Sequence, residues 1–222
     1  MIIFFTGLAA GMVHVLTGPD HLAAIAPLSL NSKKSNWLIG FKWGLGHTGG
    51  VFVVAILALL FRELIPIHLL SSYSERFVGV ILIGIGLWGL KKVLFKNIHM
   101  HEHTHDGQKH FHIHTHQSLE EHNKIEAHNH SHAAFGIGII HGFAGSSHLL
   151  GILPALALPT RLGAITYLGA FGIGTITAMV IFSIIMGTLA VKFSFFGIKA
   201  YQGLLTTFSI AAIVIGGFWL SF

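Results

Sequence analysis

Six apolar segments, each long enough to cross a lipid bilayer, constrain the fold of this chain more than any other feature. They cover residues 2–30, 37–61, 77–95, 134–158, 162–191 and 200–220. A helix of about 20 apolar residues spans the ~30 Å hydrocarbon layer, and it satisfies every backbone polar group internally. Only 9% of the 222 residues are charged, against about 25% in soluble domains. The sequence therefore predicts an all-α integral membrane protein with six transmembrane helices.

Two polar stretches with the same spacing lie inside these apolar segments. The first is His14-Val-Leu-Thr-Gly-Pro-Asp-His21, and the second is His141-Gly-Phe-Ala-Gly-Ser-Ser-His148. Both follow the pattern His-x3-Gly-x2-His-Leu, with a proline six residues after the second histidine. Each half is therefore predicted to be a three-helix repeat. Because three is an odd number of spans, the second repeat enters from the opposite face, and such inverted repeats bind substrate near the midplane of the membrane.

A histidine-rich polar stretch separates the two halves. It divides the chain into a first repeat at residues 1–95, a cytoplasmic linker at 96–132 and a second repeat at 133–222. Its polarity predicts disorder, and its His-x-His pattern is typical of metal-binding tracts. The auxiliary ligands predicted in it are His99, His101, His103, His105, His110, His112, His114, His116, His128, His130 and His132. We interpret the linker as a weak metal buffer, and a low-complexity spacer is the alternative.

Lysine and arginine residues are distributed unequally between the two sides of the predicted helices. The linker side holds Lys33, Lys34, Lys91, Lys92, Lys96, Lys192 and Lys199, whereas the other side holds Arg62, Arg76 and Arg161. Cytoplasmic loops carry the excess of these residues. We therefore predict a multi-pass protein of the cytoplasmic membrane with both termini outside. The same distribution accounts for the net charge of +5 without a nucleic-acid partner.

Ionisable side chains inside the hydrocarbon layer are costly, so they indicate a functional site. His14, Gly18 and His21 are spaced to share one face of a helix. Gly18-Pro19 is expected to break this helix, because proline clashes with the preceding turn, and the break would turn the Asp20 carboxylate toward the histidines. The predicted metal ligands are His14, Asp20, His21, His47, His141 and His148, with Thr17, Gly18, Gly145 and Ser147 as supporting residues. His68 is predicted to be a solvated loop residue outside this site.

The ligand types predict a borderline divalent metal. Imidazole suits Ni²⁺, Co²⁺, Cu²⁺ and Zn²⁺, whereas Cu⁺ prefers sulfur, and Mg²⁺ and Ca²⁺ prefer oxygen. The chain has no cysteine, and its predicted site combines histidines with a single carboxylate. We therefore expect Ni²⁺ or Co²⁺ as a transported substrate, with Zn²⁺ as an alternative and no resident cofactor. The competing interpretation is that the histidines form structural hydrogen bonds between helices.

The motifs resemble those of the nickel/cobalt transporter (NicO/NiCoT) superfamily, and within it the branch of urease-accessory UreH-type membrane proteins. The resemblance rests on His14-x5-Asp20-His21-Leu, on Gly-Leu-Gly-His47 and on the second polar stretch, so it covers both halves. In the permeases of that superfamily a His-x4-Asp-His signature is held to bind the metal. The resemblance implies this role for His14, Asp20 and His21. The gap here is five residues instead of four, so the ligand geometry and metal preference of the permeases do not carry over.

The function predicted from the residues and the resemblance is secondary transport of Ni²⁺ or Co²⁺, and the resemblance to urease-accessory proteins favours import. Efflux is one alternative, and a non-transporting metal-binding accessory subunit for metalloenzyme maturation is another. An enzyme is not expected, because a His-Glu-x-x-His motif is absent and Asp20 is the only candidate acid in the spans. Besides the lipid bilayer and the metal ion, cytoplasmic metallochaperones are candidate partners, and the oligomeric state is left open.

Overall fold

Helices make up most of the described chain. The computed structural model describes residues 1–30, 36–60, 67–95, 98–105, 108–115, 126–143, 151, 153–155 and 157–221. The helices are α1 (Ile2–Thr17), α2 (Pro19–Leu30), α3 (Asn36–Leu60), α4 (Ile67–Phe95), α5 (Glu126–Phe143), α6 (Arg161–Phe195) and α7 (Ile198–Leu220). Strands β1 (Ile98–His105) and β2 (Gln108–Thr115) form an antiparallel hairpin between α4 and α5.

The length and apolar character of the helices confirm the predicted helical membrane protein. Four segments can cross a membrane, namely Asn36–Ile56, Glu75–Leu94, Arg161–Phe195 and Ile198–Leu220, and α1 with α2 would form a fifth, bent span. The predicted fourth span coincides with the shorter apolar helix Ala133–Phe143, and residues 144–150 lie outside the described chain. Four to five spans are therefore described. α4 begins at Ile67, so it includes His68 and part of a segment that the sequence predicted to be a loop.

The helix α2 lies at the centre of the fold. Nine of its twelve residues are buried, and it packs against α6 and α7 through polar as well as apolar contacts. The Oγ atoms of Ser29 and Ser183 lie 2.7 Å apart, and the hydroxyl of Tyr201 donates a hydrogen bond of 3.1 Å to the Leu30 carbonyl. Buried polar groups are stable only when paired in this way. These contacts hold the C-terminal half of α2, so the position of its first turn follows from them.

Close backbone packing joins α1 to α6. A Cβ atom on Gly11 would collide with the carbonyl oxygen of Phe171, and one on Gly174 would collide with that of Leu8. Small residues permit such an approach, which is how membrane helices associate without a hydrophobic driving force. Glycines therefore allow the close packing of this pair.

The helices α3 and α5 pack in the same manner. A Cβ atom on Gly138 would collide with the carbonyl oxygen of Trp43, and one on Gly46 would collide with that of Phe135. This pair connects a helix from before the histidine-rich linker with a helix from after it. The first turn of α2 lies close to the middle of α3 and to the last turn of α5.

The β-hairpin differs from the disorder that the sequence predicted for residues 96–132. Its register pairs His99 with His114, His101 with His112 and His103 with His110. The His-x-His alternation has the two-residue period of a strand, which is why this polar segment can pair. An isolated two-stranded hairpin is only marginally stable in water. α5 begins at Glu126, within the predicted linker, and residues 116–125 lie outside the described chain.

Candidate metal site

The break between α1 and α2 creates the site. α1 ends at Thr17, and Gly18 takes an extended conformation with φ −86° and ψ 98°. α2 then begins at Pro19, and its axis is bent by 73° from that of α1. Proline suits the first position of a helix, because its missing N–H has no partner there in any case. The predicted break at Gly18-Pro19 is confirmed.

The Asp20 carboxylate is buried at the start of α2, where it joins the two halves of the chain. It is 3% exposed. Its Oδ1 atom lies 3.0 Å from Nδ1 of His21, and its Oδ2 atom lies 3.0 Å from Nε2 of His141 on α5. A carboxylate with each oxygen facing a different imidazole is suited either to orient those rings or to share a metal ion with them.

Two further histidines complete the cluster from α1 and α3. The Nε2 atoms of His21 and His47 lie 3.4 Å apart. The ring centroid of His14 lies 4.7 Å from that of His21. It lies 5.7 Å from that of His47, on which the His14 ring is stacked. Five of the six predicted ligands therefore meet, although they come from four different helices. His21, His47 and His141 are all fully buried.

The donor atoms form two groups with metal-binding dimensions. One group consists of His14, His21 and His47, the other of Asp20, His21 and His141, and the donor atoms within each lie within 4.8 Å of one another. An ion with ligand bonds of about 2.0–2.1 Å separates neighbouring donor atoms by roughly 3.0–3.4 Å. The measured separations of 3.0 and 3.4 Å fit that range.

Aromatic side chains enclose the cluster. The Trp43 ring is fully buried and stacked on the His47 ring, with centroids 5.5 Å apart and an interplanar angle of 3°. It also lies 5.1 Å from the His141 ring. Phe171 on α6 lies 5.5 Å from the His14 ring. Neither aromatic residue was predicted as part of the site. The available signal was that Trp43 precedes His47 by one helical turn and so shares its face.

The predicted supporting residues have different positions. A Cβ atom on Gly18 would collide with Nδ1 of His21, so this glycine leaves room for the imidazole. Thr17 is exposed, and its hydroxyl donates a hydrogen bond of 2.8 Å to the Val13 carbonyl instead of facing the cluster. The predicted ligand His148 and the supporting residues Gly145 and Ser147 lie outside the described chain.

The predicted linker ligands are described only by their backbone. Seven of them lie on the hairpin strands, namely His99, His101, His103, His105, His110, His112 and His114, whereas His128, His130 and His132 lie in the first half of α5. His116 is outside the described chain. Their role as auxiliary metal ligands stays a prediction.

Comparison with known proteins gives relatives but no family model. The chain is 34% identical over 185 residues to the chloroplast protein FOR GROWTH AND FERTILITY 1 of Arabidopsis thaliana. The aligned region covers 83% of this chain and 49% of the relative. The second such Arabidopsis protein is 31% identical over 83% of this chain and 46% of its own length. The chain thus spans about half the length of these curated relatives. No family model matches it, and no solved structure does.

Two other relatives carry names that refer to metal handling. The urease accessory protein UreH of Bacillus sp. strain TB-90 is 29% identical over 82% of this chain and 74% of the relative. A predicted nickel/cobalt efflux system of Methanocaldococcus jannaschii is 28% identical over 46% of this chain and 47% of the relative. At this modest identity, both agree with the resemblance that the motifs indicated.

Proposed function

We propose that this chain is a membrane transporter for divalent transition-metal ions, with Ni²⁺ or Co²⁺ as its substrate. The observation that carries the proposal is a cluster among apolar helices that contains Asp20, three buried histidines and the partly buried His14. Burying such groups in a membrane is costly unless they bind a substrate or one another. A mixed set of imidazoles and one carboxylate suits Ni²⁺, Co²⁺ and Zn²⁺. The name of the M. jannaschii relative supports nickel and cobalt over zinc.

We also propose that the two halves are inverted repeats with the ion site between them. The sequence aligns Gly11 with Gly138, and it aligns Trp43 with Phe171. Exchanging the halves therefore converts the contact between Gly11 and Phe171 into the contact between Gly138 and Trp43, and both occur.

A second pair of contacts obeys the same exchange. Gly174 aligns with Gly46 and Leu8 with Phe135, and the contact of Gly174 with Leu8 has its counterpart in that of Gly46 with Phe135. Four contacts that map onto one another support a two-fold relation between the halves. Inverted repeats place substrate sites at their interface, where the carboxylate of Asp20 faces His141.

The proposed location is the cytoplasmic membrane, with the histidine-rich linker inside and both termini outside. The excess of lysine on the linker side supports this orientation. In it, the linker histidines buffer the ion on the cytoplasmic side, where metallochaperones are the proposed partners. Import is proposed as the direction. The name of the UreH relative supports delivery to an enzyme in the cell, and the name of the M. jannaschii relative supports efflux as the second candidate.

The test is uptake of Ni²⁺ and Co²⁺ by proteoliposomes that contain the purified full-length chain. We expect uptake by the parent and a collapse of uptake in His21→Ala, because His21 belongs to both ligand groups. His68→Ala is the matched control, since the sequence predicts His68 to lie outside the site, and it should transport normally. Normal uptake by His21→Ala would mean that the histidines of the cluster form structural hydrogen bonds and do not bind the transported ion. Metal binding without uptake in the parent would favour an accessory subunit.

A further inference from the structure

We infer that the cluster holds one ion at a time in two adjacent positions that share His21. The first position is formed by His14, His21 and His47, and the second by Asp20, His21 and His141. This inference rests on the proposed function, and it adds the path that the ion takes through the site. It follows from which atoms of His21 face which partners.

The two ring nitrogens of His21 face opposite partners. Its Nε2 atom lies 3.4 Å from Nε2 of His47, and its Nδ1 atom lies 3.0 Å from Oδ1 of Asp20. The ring of His21 also lies 4.7 Å from both the His14 ring and the His141 ring. His21 therefore stands between the two positions and presents one nitrogen to each.

A neutral imidazole has a lone pair available on only one of its nitrogens, and the other nitrogen carries the proton. When Nε2 of His21 binds the ion, the Nδ1–H group donates a hydrogen bond to the Asp20 carboxylate. This is the carboxylate–histidine–metal arrangement that orients metal ligands. When Nδ1 binds the ion together with Asp20, Nε2 carries the proton and cannot bind a second ion. Occupation of one position thus excludes occupation of the other.

The positions differ in their relation to the two halves of the chain. All three ligands of the first position lie on α1, α2 and α3, before the linker, whereas the second position requires His141 of α5. The second position is therefore the one whose ligands come from both halves of the chain, and the shared imidazole lets the ion pass between the two positions without leaving the protein.

The positions also differ chemically, which makes them distinguishable. The first supplies three neutral nitrogens, and the second supplies two nitrogens with a negatively charged oxygen. Co²⁺ binds both types of ligand, and its visible spectrum and X-ray absorption respond to the ratio of nitrogen to oxygen. Removing His47 should leave only the oxygen-containing environment, and removing His141 should leave only the all-nitrogen one.

The experiment measures Co²⁺ binding to the full-length chain in nanodiscs, by equilibrium dialysis and by both spectroscopies. The His21→Ala variant retains the linker but loses the shared ligand, so subtracting its signal isolates that of the cluster. We expect one cluster ion per parent chain. His47→Ala and His141→Ala should give two different spectra, and the parent spectrum should be a mixture of them. His21→Ala should weaken cluster binding by about 100-fold, in line with the 10- to 100-fold effects of removing even outer-shell partners.

Several outcomes would overturn the inference. Two cluster ions per parent chain would mean independent sites, and identical spectra of the two variants would mean one site with all five ligands. Either result would contradict this inference without contradicting the proposed metal transport. Binding by His21→Ala equal to that of the parent would instead contradict the proposed site itself. His47→Leu and His141→Leu, whose side chains cannot bind a metal, repeat the comparison where an alanine variant does not remain monodisperse and helical.

Discussion

The helix pairs α1/α6 and α3/α5 have the same backbone contacts but different side chains at corresponding positions. In α3/α5, Trp43 and His47 face the cluster. In α1/α6 the aligned residues are Phe171 and Thr175, and the Thr175 hydroxyl donates a hydrogen bond of 3.5 Å to the Gly11 carbonyl. Glycine contacts determine how the helices approach, and they do so equally in both pairs. The two pairs therefore differ at the positions of Trp43 and His47, whereas α1 and α5 each contribute a histidine, His14 and His141, to the cluster.

The largest effect should come from Asp20, the carboxylate of the cluster, which aligns with an uncharged residue in the second half. Asp20 aligns with Ser147, and Asp20→Asn keeps the shape of the side chain while removing its charge. We expect metal uptake by proteoliposomes to fall by about 100-fold, because both His21 and His141 lose their carboxylate partner. Asp20→Glu, which keeps the charge, should recover part of the rate. Unchanged uptake by Asp20→Asn would show that the asymmetry has no role in transport.

The symmetry of the framework can be tested with Gly11→Ala and Gly138→Ala. Each added methyl group collides with a carbonyl oxygen of the neighbouring helix. We expect each variant to lose about 1–3 kcal/mol of stability, which is the usual range for overpacking. Thermal unfolding in detergent, followed by circular dichroism, measures this loss.

The control for these variants is Gly49→Ala, because a Cβ atom on Gly49 would have no neighbour within 4 Å. It should unfold at the temperature of the parent or slightly above it. Similar losses for Gly11→Ala and Gly138→Ala would strengthen the equivalence of the two pairs. A loss in only one of them would contradict it.

A moderate effect is expected for Trp43→Leu, which removes the aromatic ring stacked on His47. Aromatic pairs contribute about 0.5–1.5 kcal/mol beyond their buried area, or roughly 2- to 12-fold in binding. We expect Co²⁺ affinity in nanodiscs to fall within that range. Phe171→Leu in the other helix pair should change the affinity less, because it leaves the Trp43 stack intact. The reverse order would mean that the site depends mainly on the contact of Phe171 with His14.

The smallest effect is expected for Thr175→Val. The substitution removes one long hydrogen bond of 3.5 Å to Gly11, and a hydrogen bond contributes a net ~1 kcal/mol. We expect uptake to change by less than about 2-fold, because only a part of the hydrogen-bond energy would act on the transport step. A collapse of uptake similar to that expected for His47→Ala would place Thr175 on the ion path and remove the contrast between the two helix pairs.

The sequence alone determined the helical membrane character, the break at Gly18-Pro19 and the residues that could bind a metal. Long apolar segments and ionisable residues inside them are local features, so they can be recognised without knowing the fold. A proline after a glycine in a helix is also a local constraint. The predicted turning of Asp20 toward the histidines was confirmed for this reason.

Only the tertiary structure decided which of these residues meet. Asp20 and His141 are separated by most of the chain, and their contact depends on how α2 and α5 pack. The enclosing ring of Trp43 and the outward position of Thr17 were likewise decided by packing. The linker was predicted from its composition, which does not specify the strand pairing of β1 with β2. Local patterns determine what a segment can do, whereas contacts distant in sequence determine which segments do it together.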